Sequence, residues 1–114
     1  HPFTPERTPL RPGPFGIREP DPDQVPETPP ETIDLALVPA LLLAPSGARL
    51  GYGGGYYDRL LPRLAEGAVT VGALPDALVL PTLPTDPWDV PLGLVLTETR
   101  FFRRQAGEAT SPVV

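Results

Sequence analysis

Arg49-Leu50-Gly51-Tyr52-Gly53-Gly54-Gly55-Tyr56-Tyr57-Asp58-Arg59 is the stretch on which the reading of this chain turns. It holds four of the 11 glycines and all three tyrosines, so it is a specialised segment and not an average loop. Glycine lacks a Cβ, so the backbone can take positive φ and approach a ligand closely. A run of such residues can turn N–H groups inward as an anion nest. Asp58 to Ala65 are mostly good helix formers. A glycine loop that feeds a helix N-terminus is a physical phosphate site, through free N–H groups and the helix dipole. Arg49 adds a permanent cation with bidentate geometry. Asp58 adds a hard oxygen suited to Mg²⁺, although an acid at this place also serves as a helix N-cap. Two standard nucleotide loops are excluded. A Walker A loop needs a lysine, and the chain has none. The dinucleotide fingerprint fits Gly51 and Gly53 but meets Tyr56 at its third glycine.

Outward from the loop, the pattern is that of an α/β domain. Upstream, Thr32 to Pro39 reads as a strand, with Leu35, Leu37 and Val38 so dense that both faces are expected to be buried. Ala40 to Ala44 reads as a second short strand or a core-lining loop before the Pro45-Ser46-Gly47 turn. Downstream, a helix from about Tyr56 carries an apolar stripe at Tyr57, Leu60, Leu61 and Leu64. Pro62 either kinks it or opens a second short turn. Gly67 ends it. Ala68 to Ala73 is another buried strand, Pro75 to Leu80 one helical turn, and Val90 to Thr97 a third strand. Strands alternating with loop and helix predict a mainly parallel sheet with right-handed crossovers. Phe101 and Phe102 are expected to cover an edge of the core.

The ends are different. Residues 1–31 hold ten of the 19 prolines and read as a proline-rich extended arm or a flexible linker, with Phe3, Phe15 and Ile17 arguing that parts of it dock. Residues 32–102 form the α/β core, and 103–114 a polar, frayed tail. His1, the lone histidine, is assigned no role. The absence of cysteine removes disulfides and thiol metal sites. No apolar run reaches the roughly 18 residues that span a bilayer, so a cytoplasmic location is expected and no membrane partner. The net charge of −5 argues against nucleic acid as a partner.

The loop motif resembles the signature of the 5-formyltetrahydrofolate cyclo-ligase (methenyltetrahydrofolate synthetase) family. Gly16-Ile17-Arg18-Glu19-Pro20, Asp34 to Pro39, and Leu83-Pro84 through Trp88-Asp89-Val90-Pro91 to Thr97-Glu98 resemble its flanking segments. The resemblance implies a three-layer α/β/α fold. It also implies a ligase of one-carbon metabolism that uses ATP and Mg²⁺ to close 5-formyltetrahydrofolate to 5,10-methenyltetrahydrofolate, releasing ADP and phosphate. Members carry a further N-terminal portion. The chain opens on His1-Pro2-Phe3 without Met and so reads as the C-terminal part, with the N-terminal portion apparently absent.

Carried over by position, Arg49 and Tyr56 are the implied catalytic residues. Arg49, Leu50, Gly51, Tyr52, Gly53, Gly54, Gly55, Tyr56 and Tyr57 are implied to bind ATP. Tyr52, Gly53, Gly54, Gly55 and Tyr56 are implied to touch the reduced folate, and Asp58 and Asp89 to hold Mg²⁺. Tyr52 and Gly54 stand where some members carry basic residues, so this loop is less positive. A nucleotide- or pterin-binding relative without turnover, or an interaction module, is the competing reading. A monomer or weak homodimer is expected. Trp88 is expected to pack, Asp86 to be a plain loop acid, Glu19 to cap or salt-bridge within the arm, and Arg59 with Arg63 to form a solvated pair.

Overall fold

The computed structural model describes residues 3–104 together with the backbone of residues 111–112. In chain order, β1 (Leu10–Pro12) and β2 (Arg18–Pro20) make one hairpin, β3 (Leu35–Leu37) enters the main sheet, and β4 (Leu42–Leu43) and β5 (Arg49–Leu50) make a second hairpin. The helix α1 (Tyr56–Leu60) follows. Strands β6 (Val69–Ala73), β7 (Leu94–Leu96), β8 (Phe101–Arg103) and β9 (Ser111–Pro112) complete a five-stranded sheet of order β3-β6-β7-β8-β9.

The α/β class holds, but the expected mainly parallel sheet is mixed. The pairs β3–β6 and β6–β7 are parallel, while β7–β8 and β8–β9 are antiparallel. The cause is a tight turn. Thr97 N–H donates to the Arg100 carbonyl (2.9 Å), and Arg100 N–H donates to Thr97 Oγ1 (2.8 Å). A connection this short returns the chain antiparallel; a parallel return needs a crossover of a dozen residues or more. Arg103, expected in a frayed tail, therefore lies in β8, and residues 111–112 pair with it. Arg104 follows it with its N–H on the Gly93 carbonyl (2.8 Å), and residues 105–110 and 113–114, like His1, lie outside the described residues.

One face of the sheet carries the core. Val38, Leu43, Leu92, Val95 and Phe102 are buried together, with Tyr57 and Leu64 packed against them and Leu61 buried among them. The close packing explains Gly72: a Cβ there would meet Leu92 Cδ1 at 2.7 Å and Leu43 Cδ1 at 3.0 Å. The other face is open. Register sets Leu35 beside Val69, Leu37 beside Val71, Val71 beside Leu94, and Ala73 beside Leu96. Leu35 and Leu37, expected to be buried, are 64% and 72% exposed. Their strand is written for two covered faces, and the described residues cover one. The expected three-layer arrangement is thus not assembled by the described residues.

Helix α1 is five residues long. Pro62 does not kink a longer helix; it sits in the first turn of a separate 3₁₀ segment, Leu61–Arg63, where its missing N–H costs nothing. Within the proline-rich arm, β1 and β2 form a short hairpin around a 3₁₀ turn, Pro14–Gly16. Phe3, Phe15 and Ile17 are exposed, and Val25 is the buried residue instead. Asp21 causes this. Its carbonyl accepts the Val25 N–H (2.8 Å), and its Oδ1 accepts the Asp23 N–H (3.0 Å), closing a turn around Val25. The charged groups expected to be solvated behave so: Arg63 reaches Glu31 at 3.8 Å, both exposed. No helix among the described residues is long and apolar enough to cross a membrane.

Candidate active site

The site is built where β5 runs into the glycine loop. The β4–β5 hairpin turns on Gly47 and delivers Arg49 next to the end of β3, where Arg49 Nη1 donates to the Pro39 carbonyl at 3.1 Å. The guanidinium also lies over the Tyr57 ring, 5.3 Å from its centroid. Tyr57 in turn meets Tyr56 edge-on, with centroids 5.1 Å apart. Gly51 leaves room for this placement, since a Cβ there would push the Arg49 guanidinium aside. The planar fork is thus held from three sides. Yet Arg49 Nε is buried and has no hydrogen-bond partner. A buried unpaired donor costs about 1–3 kcal/mol.

Gly53, Gly54 and Gly55 follow with φ of 96°, 79° and 65°. Three successive left-handed residues are open to glycine and strained for anything else. Gly55 is the N-cap of α1, and Asp58 makes no cap hydrogen bond. The loop is tied from below by Arg59, whose Nη1 donates to the Gly54 carbonyl at 2.6 Å. Arg59 is therefore more than half of a solvated pair. Because α1 is so short, its dipole adds little, and Arg49 carries most of the positive charge at the loop.

Asp58 and Asp89 come together from 31 positions apart. Asp58 Oδ1 accepts the Val90 N–H at 3.0 Å, which fastens α1 to the segment that carries Asp89. Asp89 Oδ2 accepts the Asp86 N–H at 2.7 Å. Each carboxylate keeps a second oxygen free of these bonds. Among the described residues no group of three acids or histidines could hold a metal by itself. Mg²⁺ does not need one, because it keeps several waters and takes one or two carboxylates plus phosphate oxygens. The donor set fits a hydrated Mg²⁺ that arrives with a nucleotide.

Two cavities share the wall formed by Arg49, Asp58, Asp86 and Asp89. The wider, about 530 Å³, is also lined by Leu50, Gly51, Tyr52, Gly53, Gly55, Tyr56, Tyr57, Pro84 and Trp88. That size suits a small-molecule ligand. The narrower, about 280 Å³, adds Ser46, Thr85 and Arg104. Of the expected site residues, only Gly54 lines neither cavity; its carbonyl is turned to Arg59. Sequence reasoning missed Arg104. It comes to the cavity because its N–H donates to the Gly93 carbonyl (2.8 Å) at the start of β7, a tertiary return with no local motif. It also set Asp86 aside as a loop acid and Trp88 as a packing residue. Asp86 is part of the shared wall, and Trp88 is 69% exposed at the cavity.

Comparison with known proteins adds the following. The 5-formyltetrahydrofolate cyclo-ligase family matches residues 3–98. The 5-formyltetrahydrofolate cyclo-ligase of Mycolicibacterium smegmatis is 46% identical over 89 residues, covering 75% of this chain and 44% of that protein. The protein of the same name from Haemophilus influenzae is 36% identical over 86 residues, covering 75% and 46%. The NMR structure of Aquifex aeolicus 5,10-methenyltetrahydrofolate synthetase superposes with a TM-score of 0.67 at 37% identity, covering 90% of this chain and 50% of that one. The chain spans about half the length of the curated relatives it matches.

Proposed function

The chain belongs to the 5-formyltetrahydrofolate cyclo-ligase family, and from that premise we propose that it carries the nucleotide-side machinery for ATP-dependent closure of 5-formyltetrahydrofolate to 5,10-methenyltetrahydrofolate. In this reaction the formyl oxygen takes the γ-phosphoryl group and ADP leaves. The N10 lone pair then attacks the formyl carbon, phosphate departs with the former formyl oxygen, and the N10 proton is lost. The protein's task is positioning and charge neutralisation more than covalent chemistry.

One observation carries the reading: the Arg49 side chain shares a cavity wall with Asp58 and Asp89. In the proposed complex Arg49 takes phosphate oxygens, with its fork already aimed by Pro39 and Tyr57. Leu50 to Tyr57 surround the nucleotide, and the backbone of the glycine loop contributes N–H groups. Tyr56 and Tyr52 border the folate side, where Tyr56 offers a hydroxyl to the reacting groups. Asp58 and Asp89 would hold Mg²⁺, which supplies charge neutralisation at the phosphates when bound. A cytoplasmic monomer or weak homodimer accompanies this reading.

The second reading, binding without turnover, draws on the shared wall and narrower cavity: three aspartates (58, 86, 89) stand against two arginines (49, 104). One experiment separates the two. MgATP is added to the protein with 5-formyltetrahydrofolate, and the absorbance of the conjugated methenyl cation is followed. A new band that requires both ATP and Mg²⁺ supports the ligase. ATP binding without a band supports the non-catalytic relative. Neither binding nor a band ends both.

A further inference from the structure

Three large aromatic side chains stand mostly in the open around the wider cavity: Tyr52 (72% exposed), Tyr56 (61%) and Trp88 (69%). Tryptophan is highly buried on average, so an indole this exposed is not explained by packing. It is not on a loose segment either. The turn from Asp86 to Asp89 is closed twice, by Asp89 N–H to the Asp86 carbonyl (3.0 Å) and by Asp86 N–H to Asp89 Oδ2 (2.7 Å). Pro87, immediately before Trp88, fixes one more torsion. The same Asp89 belongs to the wall that holds Arg49 and Asp58. A rigid turn therefore presents an uncovered indole right beside the charged wall. Exposed apolar groups clustered in a polar-rimmed cavity mark a ligand surface.

We propose that Trp88 is the stacking platform for the flat heteroaromatic ring of a bound substrate, seating that ring in the aromatic chamber while its anionic end meets Arg49. Two rings share this chemistry, the adenine of the nucleotide and the flat pyrimidinone half of the reduced folate's tetrahydropteridine. Their choice as ligands rests on the ligase reading, but the platform itself does not require turnover. Trp88 acts on affinity and seating; it donates no proton and forms no bond. Aromatic stacking on a base has a known range of strength, which sets the expected loss at roughly 5- to 100-fold in affinity.

Trp88 is the chain's only tryptophan, so its emission reports this position alone. The test titrates the wild-type protein with adenosine and, separately, with 5-formyltetrahydrofolate, following indole emission. Affinities for ATP and 5-formyltetrahydrofolate are then measured calorimetrically for wild type, Trp88→Phe and Trp88→Leu. The expected result is quenching by one of the two ligands, loss of that ligand's affinity in Trp88→Leu, and recovery of most of it in Trp88→Phe. The other ligand should stay within about two-fold. Quenching by adenosine names the nucleotide ring; quenching by the folate names the pyrimidinone. Unchanged affinities in Trp88→Leu overturn the platform, as does a wild-type protein that binds neither ligand. A protein that binds and is quenched but makes no methenyl product keeps the platform and sinks the ligase.

Discussion

Asp58 does two separable things, and a pair of substitutions takes them apart. Its Oδ1 accepts the part-buried Val90 N–H at 3.0 Å, and its charge faces the cavity beside Arg49. Asp58→Asn keeps an oxygen acceptor and removes the charge. Asp58→Ala removes both and leaves the Val90 N–H without its partner. An unsatisfied donor costs about 1–3 kcal/mol, and a part-buried one about 1–2. At about 4 °C per kcal/mol for a domain of this size, Tm of Asp58→Ala should fall by about 4–8 °C. Asp58→Asn should lose only the small helix N-terminal charge effect, a few tenths of a kcal/mol in so short a helix. On the proposed function, turnover should fall in both, by on the order of 100-fold or more, because the carboxylate proposed to hold the cation is gone in each. The assay pairs thermal melts with the methenyl absorbance rate. Wild-type turnover in Asp58→Asn would refute the metal role. An Asp58→Ala melt indistinguishable from wild type would refute the structural one.

Two further outcomes follow from the geometry. Gly47 has a φ of 91°, and a Cβ there would collide with the Leu92 carbonyl oxygen, so Gly47→Ala should cost on the order of 3 kcal/mol or more. A urea midpoint within error of wild type would contradict this. At the far end of the sheet, Asp76 is held below the usual carboxylate range, first by the Arg100 hydrogen bond (2.9 Å) and then by Thr97. A lowered carboxyl contributes stability that is complete above its unfolded pKa and is lost as pH falls through the folded value. Arg100→Gln should therefore lower stability at neutral pH, by a small amount because the pair is exposed, with the difference from wild type shrinking as pH falls through the Asp76 carboxyl's folded value and the acid midpoint moving slightly to higher pH. Circular dichroism from about pH 2 to 6 reads it, and a midpoint that does not move would count against the pairing.

The local part of the site was readable, and the assembled part was not. Arg49 to Asp58 is contiguous, so its glycines and charges could be read together as one candidate loop, while the roles given to its residues came from the family resemblance. The strand at Val69–Ala73 and the 3₁₀ turn at Asp76–Leu78 also stand where the apolar runs and prolines put them. Periodicity misled at β3, because a run of Leu35, Leu37 and Val38 states what each side chain prefers and not whether a layer exists to meet it. Pro62 was read as a choice between kink and restart, and only tertiary packing of Leu61 and Leu64 decided it. Trp88 was assigned to packing from its residue type, whereas the doubly closed turn at Asp86 and Asp89 determines its exposure. Arg104 had no signal to read, since a hydrogen bond to Gly93 brings it to the cavity.

The open face of the sheet has a bearing on how this protein is to be handled at the bench. Leu35, Leu37, Val69 and Leu96 offer bare aliphatic surface among the described residues of the folded chain. A dye such as ANS fluoresces when it meets exposed apolar surface, and its signal is commonly read as the mark of a molten state. Here the native protein itself should light the dye, so fluorescence at neutral pH is no sign of lost side-chain packing. Near-ultraviolet circular dichroism is the better gauge. Sulfate, which strengthens the drive to hide such surface, should salt this chain out readily.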